Sequence, residues 1–322
     1  MKPATLRSLA TVLCALLWPL GLGGGSRLTA QAAPFEVTLL GTGTPRPDVE
    51  RFGPATLVRA GDQRLLFDAG RGVTIRLTQA GVPLRDVNAV FLTHFHSDHV
   101  NGLTDLWLTG WLPAASGQRS SAFEVYGPTG TREMMTHLEL AHAADIRIRV
   151  ADERLSREGV AIDAHDVAEG MVYERSGVRV TAFDVDHGEL IKPALGYRVD
   201  FGRRSVVLSG DTRYSTNLAK YAKGADVIVH EVIAVADGLL PSTPTAKRIF
   251  DHHTTPEQAA RLFVETKPRL AVYSHVILGG VTPDDLVRRT RAVYDGPVVA
   301  GNDLMVIDVN DATVRRIEVA PK

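Results

Sequence analysis

From residue 35 onward, short apolar runs rich in β-branched residues alternate with longer stretches of helical period. Strands are predicted over Phe35–Leu40, Ala55–Val58, Arg64–Phe67, Ala89–Leu92 and Phe123–Tyr126. A second batch covers Val178–Val185, Leu195–Phe201, Ser205–Leu208, Val227–Val229, Leu270–Tyr273, Val298–Val299, Met305–Val309 and Val314–Val319. Helical periodicity marks Val73–Ala80, Leu103–Leu112, Thr131–Ala143, Pro256–Val264 and Pro283–Val293. The last two open on Thr-Pro, which places a capping hydroxyl at the N-cap and a proline in the first turn. Between the batches, Arg154 to Glu169 is charged and weakly periodic, and it reads as a connector. Two β-rich halves, each with its own helices, indicate an α/β fold with sheets packed face to face and helices outside, a four-layer αββα sandwich.

The first 32 residues follow another pattern. Lys2 and Arg7 precede an apolar stretch from Leu9 to Leu20, a glycine-rich break, and Ala30-Gln31-Ala32. That order is expected of a secretory signal peptide over 1–32, cleaved near Ala32, with a periplasmic or secreted protein left as residues 33–322. The apolar stretch falls short of the roughly 20 residues that span a bilayer. Cys14, the only cysteine, would leave with the leader, so any metal site must use histidines and carboxylates. Losing Lys2, Arg7 and Arg27 takes the formal charge from −1 to −4. A mildly acidic chain lacks the overall basic field of a strong nucleic-acid binder.

The chemistry concentrates in Thr93-His94-Phe95-His96-Ser97-Asp98-His99, directly after the apolar run Ala89–Leu92. Three histidines and an aspartate so close together are a compact set of nitrogen and oxygen ligands. In a turn leaving a strand, His94 and His96 can face one way and Asp98 and His99 the other, enough to begin two adjacent cation sites. Such ligands suit zinc, with iron or manganese as alternatives. Six residues cannot complete two coordination spheres. Other candidates sit at strand ends, where open sheets gather ligands: His187 after Val178–Val185, Asp211 after Val206–Leu208, and His275 after Ala271–Tyr273.

In this order the residues resemble the metallo-β-lactamase superfamily, which carries H-x-H-x-D-H, a later His, a bridging Asp and a final His. The likeness extends over essentially the whole mature chain. It is strongest toward the branch holding ribonuclease Z and exported arylsulfatase-like enzymes, through Leu40-Gly41-Thr42-Gly43-Thr44-Pro45, Leu66-Phe67-Asp68-Ala69-Gly70, Asp186-His187-Gly188, Ser209-Gly210-Asp211-Thr212 and His253-Thr254-Thr255. The run Leu106 to Leu112 looks more like the exported members. The resemblance implies one metal held by His94, His96 and His187, another held by Asp98, His99 and His275, and Asp211 bridging them. It also implies that His253 assists the leaving group, that Asp98 can accept a proton, and that His230-Glu231 positions the catalytic histidine; between His252 and His253 only the spacing to Thr254-Thr255 decides. Asp68 would tie down the metal loop by hydrogen bonds. His137, His142 and His165 match nothing and are expected on the surface.

Two divalent ions would supply an activated water near neutral pH, and the net positive centre favours an anionic ester. The expectation is an exported dinuclear zinc hydrolase acting on a small anionic substrate, an aryl sulfate ester or a phosphodiester, with a homodimer as candidate assembly and no membrane span after leader removal. Alternatives are a lactone or carboxylic-ester hydrolase and an iron-dependent, sulfur dioxygenase-like oxidoreductase. Only 24 positions separate His187 from Asp211. The long arm with which bacterial ribonuclease Z grips tRNA does not fit there, so tRNA is expected to be an unlikely partner.

Overall fold

The computed structural model describes residues 33–239 and 243–319; the leader reading over 1–32 lies outside the described residues. Six strands come first: β1 Phe35–Gly41, β2 Ala55–Ala60, β3 Gln63–Phe67, β4 Ala89–Phe91, β5 Phe123–Gly127 and β6 Ile162–Asp166. Seven follow: β7 Gly170–Arg175, β8 Val178–Asp184, β9 Leu195–Phe201, β10 Arg204–Leu208, β11 Val227–Val235, β12 Leu270–Gly279 and β13 Val298–Ala300. Then β14 Met305–Asp308 and β15 Thr313–Arg316 return to the first sheet. The orders are β15-β14-β1-β2-β3-β4-β5-β6 and β13-β12-β11-β10-β9-β8-β7.

Three apolar layers hold these elements. Phe35, Val37, Phe67, Phe91, Tyr197, Val206 and Val272 fill the space between the sheets. Leu66, Val90, Leu77, Leu106 and Trp107 join the first sheet to the helices Val73–Gln79 and Leu103–Trp111. Val207, Ile228, Ala271, Leu218, Phe263 and Leu286 do the same for the second sheet and the helices Thr216–Ala222, Pro256–Thr266 and Pro283–Arg291. Because strand side chains alternate, residues 206 and 207, or 90 and 91, serve opposite layers. The result is the αββα sandwich of the sequence reading. Both Thr-Pro signals sit at helix starts, where Thr255 with Gln258 and Thr282 with Asp285 form capping boxes. Among the described residues no helix is long and apolar enough to cross a membrane.

Three expectations need correction. The stretch Arg154 to Glu169 is not a bare connector, since it holds the helix Arg157–Val160 and edge strand β6, and β7 follows directly. Both strands border a sheet, so their outward faces stay polar (Ile162–Asp166 reads IDAHD) and the apolar signal is diluted. Helices Ala143–Asp152, Thr216–Ala222 and Pro244–Asp251 were not anticipated; the last buries nothing. His165 is not a free surface residue, because its ring stacks on Tyr126 at 4.5 Å.

One buried carboxylate ties the chain ends together near the site. Asp303 accepts from the Thr42 amide (2.9 Å) and hydroxyl (2.8 Å), the Phe52 amide (2.8 Å) and Arg76 Nε (3.0 Å). Asp303→Ala would take the carboxylate partner from the partly buried Arg76 and leave the Thr42 and Phe52 amides without their acceptor, an effect of about 3 kcal/mol. Thermal denaturation should show a midpoint lower by roughly 10 °C; an unchanged midpoint would contradict this role.

Candidate metal centre

The histidine-rich turn leaves the end of β4, and each later candidate is brought to it by a second-sheet element. His94 follows β4 after Leu92 and Thr93, while Asp98 and His99 lie on the single helical turn Ser97–Val100. His187 follows β8, Asp211 follows β10, and His275 lies inside β12 rather than beyond it. Two groups of ligand atoms lie within 4.8 Å of one another: His94, His96, His187 and Asp211, and then Asp98, His99 and His275. Asp211 Oδ2 stands between the groups, 3.9 Å from His94 Nε2, 3.7 Å from His187 Nε2, 3.4 Å from His99 Nε2 and 3.3 Å from His275 Nε2. His96 is solvent-exposed and the other six are buried.

The chain reaches this geometry through two departures from regular backbone. His275 has φ 43, and the β11–β12 ladder passes from Glu231↔Ser274 to Val232↔Val276, leaving His275 as the extra residue of a bulge. A bulge turns one side chain out of the alternation, which aims this imidazole at Asp98 (3.3 Å). Asp68, with φ 58 just after β3, accepts from the Thr93 amide (2.8 Å) and hydroxyl (2.9 Å) and from His99 Nδ1 (2.7 Å). It therefore ties the metal loop to the first sheet.

Outward bonds decide which nitrogen each ring presents. His99 gives Nδ1 to Asp68, His187 gives Nδ1 to the His252 carbonyl (3.0 Å), and His94 Nδ1 meets the Thr93 hydroxyl (3.0 Å). In each, Nε2 is left facing inward. His94 Nε2 then lies 2.9 Å from His96 Nδ1, and His187 Nε2 lies 3.3 Å from the same atom. His99 Nε2 is buried and, among the described residues, has no hydrogen-bond partner, with Asp211 Oδ2 3.4 Å away. Burial first, then neighbouring histidines, push His94 well below its usual range, and burial brings His187 down to about 4, so both are neutral donors near pH 7. Asp211 is held well below the carboxylate range because His275, His99 and His94 outweigh the cost of its burial. Burial pushes His99 down, but Asp211 and Asp68 outweigh it and hold that imidazole well above its usual range, so this ring, unlike His94 and His187, would give up a proton when a cation binds. Converging imidazoles and carboxylates, with a buried ring nitrogen left without a hydrogen-bond partner, are what divalent cations satisfy. The donor set fits such ions.

Beside these ligands, His253 Nδ1 pairs with Glu231 Oε2 at 3.1 Å, and Glu231 Oε1 accepts the Thr254 amide at 2.7 Å. One ring nitrogen of His253 lies within 4.8 Å of ligand atoms of Asp211 and His275. His252 instead points its ring toward Gly188. His230 is separated from its neighbour: its ring is fully buried against Phe263, and only Glu231 reaches the site. Burial pushes the His253 imidazole down, but Glu231 and Asp211 outweigh that and raise it to about 9. The Thr93 hydroxyl, which serves both Asp68 and His94, was missed in the sequence; a threonine after a strand carries no distinguishing signal.

A family model described as the β-lactamase superfamily domain matches residues 63–276. A Ribonuclease Z of Mycobacterium sp. (strain KMS) is 35% identical over 278 residues, covering 86% of this chain and 96% of the relative. The metallo-β-lactamase fold protein YhfI of Bacillus subtilis superposes with TM-score 0.66 at 20% identity, over 85% of this chain and 98% of the other. The short form of human tRNase Z does so with TM-score 0.63 at 22% identity, over 85% and 99%. These findings overturn two expectations. The aryl-sulfate and small-ester reading gives way, because the sequence relatives carry the name Ribonuclease Z. The exclusion of tRNA fails with it. A relative of that name is matched along 96% of its length, so a missing arm does not set this chain apart. Net charge misled because it sums the whole surface and says nothing of one face.

Proposed function

This chain belongs to the β-lactamase superfamily and is a metallo-β-lactamase-fold hydrolase, and on that premise we propose that it is a ribonuclease Z-type endonuclease cleaving a phosphodiester bond in tRNA precursors. The observation that carries the reading is Asp211 standing between two complete ligand groups, with the His253–Glu231 pair alongside. Zinc is the cation proposed for both sites, on the thiol-free donor set. Two divalent ions, when bound, would lower the pKa of a water and offset charge on the phosphoryl oxygens.

The chain's own residues supply the remainder. Asp68, Thr93 and the His252 carbonyl fix the rings, so the ligand nitrogens are set before any substrate arrives. Asp98 and Asp211 keep the centre from becoming excessively positive. His253, protonated on both nitrogens, gives one proton to Glu231 as a hydrogen bond and offers the other to the departing ribose oxygen.

The direct test is incubation of an RNA bearing a tRNA body and a 3′ extension with zinc-loaded protein. A single cut near the end of the tRNA body is expected; no cleavage by protein shown to hold two zinc ions would overturn the reading. Glu231→Gln should keep the Thr254 contact but remove the charge that raises His253. The alkaline limb of kcat/KM should then move lower by about one pH unit or more, while zinc content stays unchanged. A limb that stays in place would show that Glu231 does not set the proton donor.

A further inference from the structure

A second concavity lies next to the metal centre. Its cavity, about 320 Å³, is lined by Pro47, Val49, Phe52, Gly72, Ile75 and Arg71, with Asp48 at its edge. Val49 is 80% exposed and Ile75 53%, an unusual outlay of aliphatic surface at one spot. The floor is rigid. Arg76 stacks on the Phe52 ring at 4.0 Å and is itself held by Asp303, while Arg51 is fixed to the Thr42 hydroxyl (2.7 Å) and the Gly301 carbonyl (2.9 Å). Gly72, at φ 84, lets the Phe52 ring lie on the backbone, since a Cβ there would fall 2.2 Å from the ring. Asp48 is occupied, accepting the Glu50 amide at 2.8 Å. Arg71 is exposed and makes no ion pair with a described residue.

The wall of this slot is one backbone layer from the ligands. Gly53 donates to the Arg71 carbonyl (3.2 Å) and Gly70 to the Pro54 carbonyl (3.0 Å). A Cβ on Gly53 would stand 3.1 Å from the Asp98 carbonyl, and Ala69 donates to the His99 carbonyl at 2.8 Å. A largely apolar slot with an exposed guanidinium at its rim matches a nucleotide: an aromatic base for the slot and an anion for the cation. Resting on the nuclease reading, we infer that this slot receives the base of a nucleotide neighbouring the scissile phosphate, with Arg71 on that nucleotide's own phosphate. The nucleotide received is an unpaired one, because drawing a base out of a duplex costs pairing and stacking energy that a single-stranded base does not pay.

The test compares wild type with the exposed-surface double variant Val49→Asp, Ile75→Asp and with Arg71→Ala. Substrates are the extended tRNA, the same RNA with an abasic nucleotide beside the cleavage point, and bis-p-nitrophenyl phosphate, which is too small to reach both sites. For RNA, KM should rise about tenfold in each variant, with bis-p-nitrophenyl phosphate turnover within about twofold of wild type. The abasic RNA should raise the wild-type KM and add nothing further in the double variant. An unchanged RNA KM overturns the slot while leaving the nuclease reading intact. Equal losses on both substrates also overturn it, since the change would then act through the metal centre. Wild-type protein that hydrolyses bis-p-nitrophenyl phosphate but no RNA defeats the nuclease reading itself, and the slot falls with it.

Discussion

Asp211→Ala is expected to lower kcat/KM at least ~10³-fold and to leave the purified protein with one zinc or fewer per chain. The reason is positional. Its Oδ2 is within 3.9 Å of four histidine nitrogens drawn from both ligand groups, so one substitution removes a ligand from each. The lost charge matters as much. Asp211 is ionised and nearly fully buried, and without it the imidazoles face cations with Asp98 as the one remaining carboxylate of the two groups. Metal analysis by mass spectrometry beside activity separates the two effects. A variant that retains two zinc ions and wild-type turnover would show that Asp211 does not join the sites.

His253→Ala should behave differently, keeping both ions and losing ~10²–10⁴-fold in kcat on RNA. His253 is tied to Glu231 and outside the two main ligand groups, so its removal leaves those donors in place. The loss should depend on the leaving group. A ribose alkoxide needs a proton, whereas p-nitrophenolate departs without one, so bis-p-nitrophenyl phosphate turnover should fall less than about tenfold. The sign with pH follows from the same role. A proton donor works below its pKa, so activity falls as pH rises through it. Glu231 holds His253 up to about 9, and nearby cations pull it back, so the alkaline limb should lie between ~6.5 and 9. His253→Ala should abolish that limb. Equal losses on both substrates, or a persisting limb, would assign the proton to another group.

The histidine-rich turn was legible because its residues are neighbours in the chain and because an apolar run announces the strand before it. His187 and Asp211 could be singled out for a similar reason: each follows a hydrophobic strand closely, and chain direction carries strand ends to one edge of a sandwich. His275 stood out by the same logic, yet its strand does not end there. β12 continues to Gly279, and the imidazole reaches the centre through a bulge that periodicity does not reveal. The edge strands β6 and β7 escaped because polar outward faces dilute their apolar signal. The choice of His253 over His252 had rested on spacing alone; in the fold, Glu231 binds the one and Gly188 packs against the other.

The chain alone determined the layered architecture and the donor chemistry, since both follow from local alternation, helix caps and a stretch 33–319 in which histidines and carboxylates, and no thiol, can serve as ligands. Tertiary structure decided which nitrogen each histidine presents, which of two adjacent histidines meets Glu231, and that Phe52, Val49 and Ile75 share a slot beside the ligands. It also set Asp303 on Thr42, 261 positions away. Such pairings depend on how two sheets and their loops close on one another. Hydrogen bonds and packing between distant segments leave no period in the sequence, so they become visible only once the chain has folded.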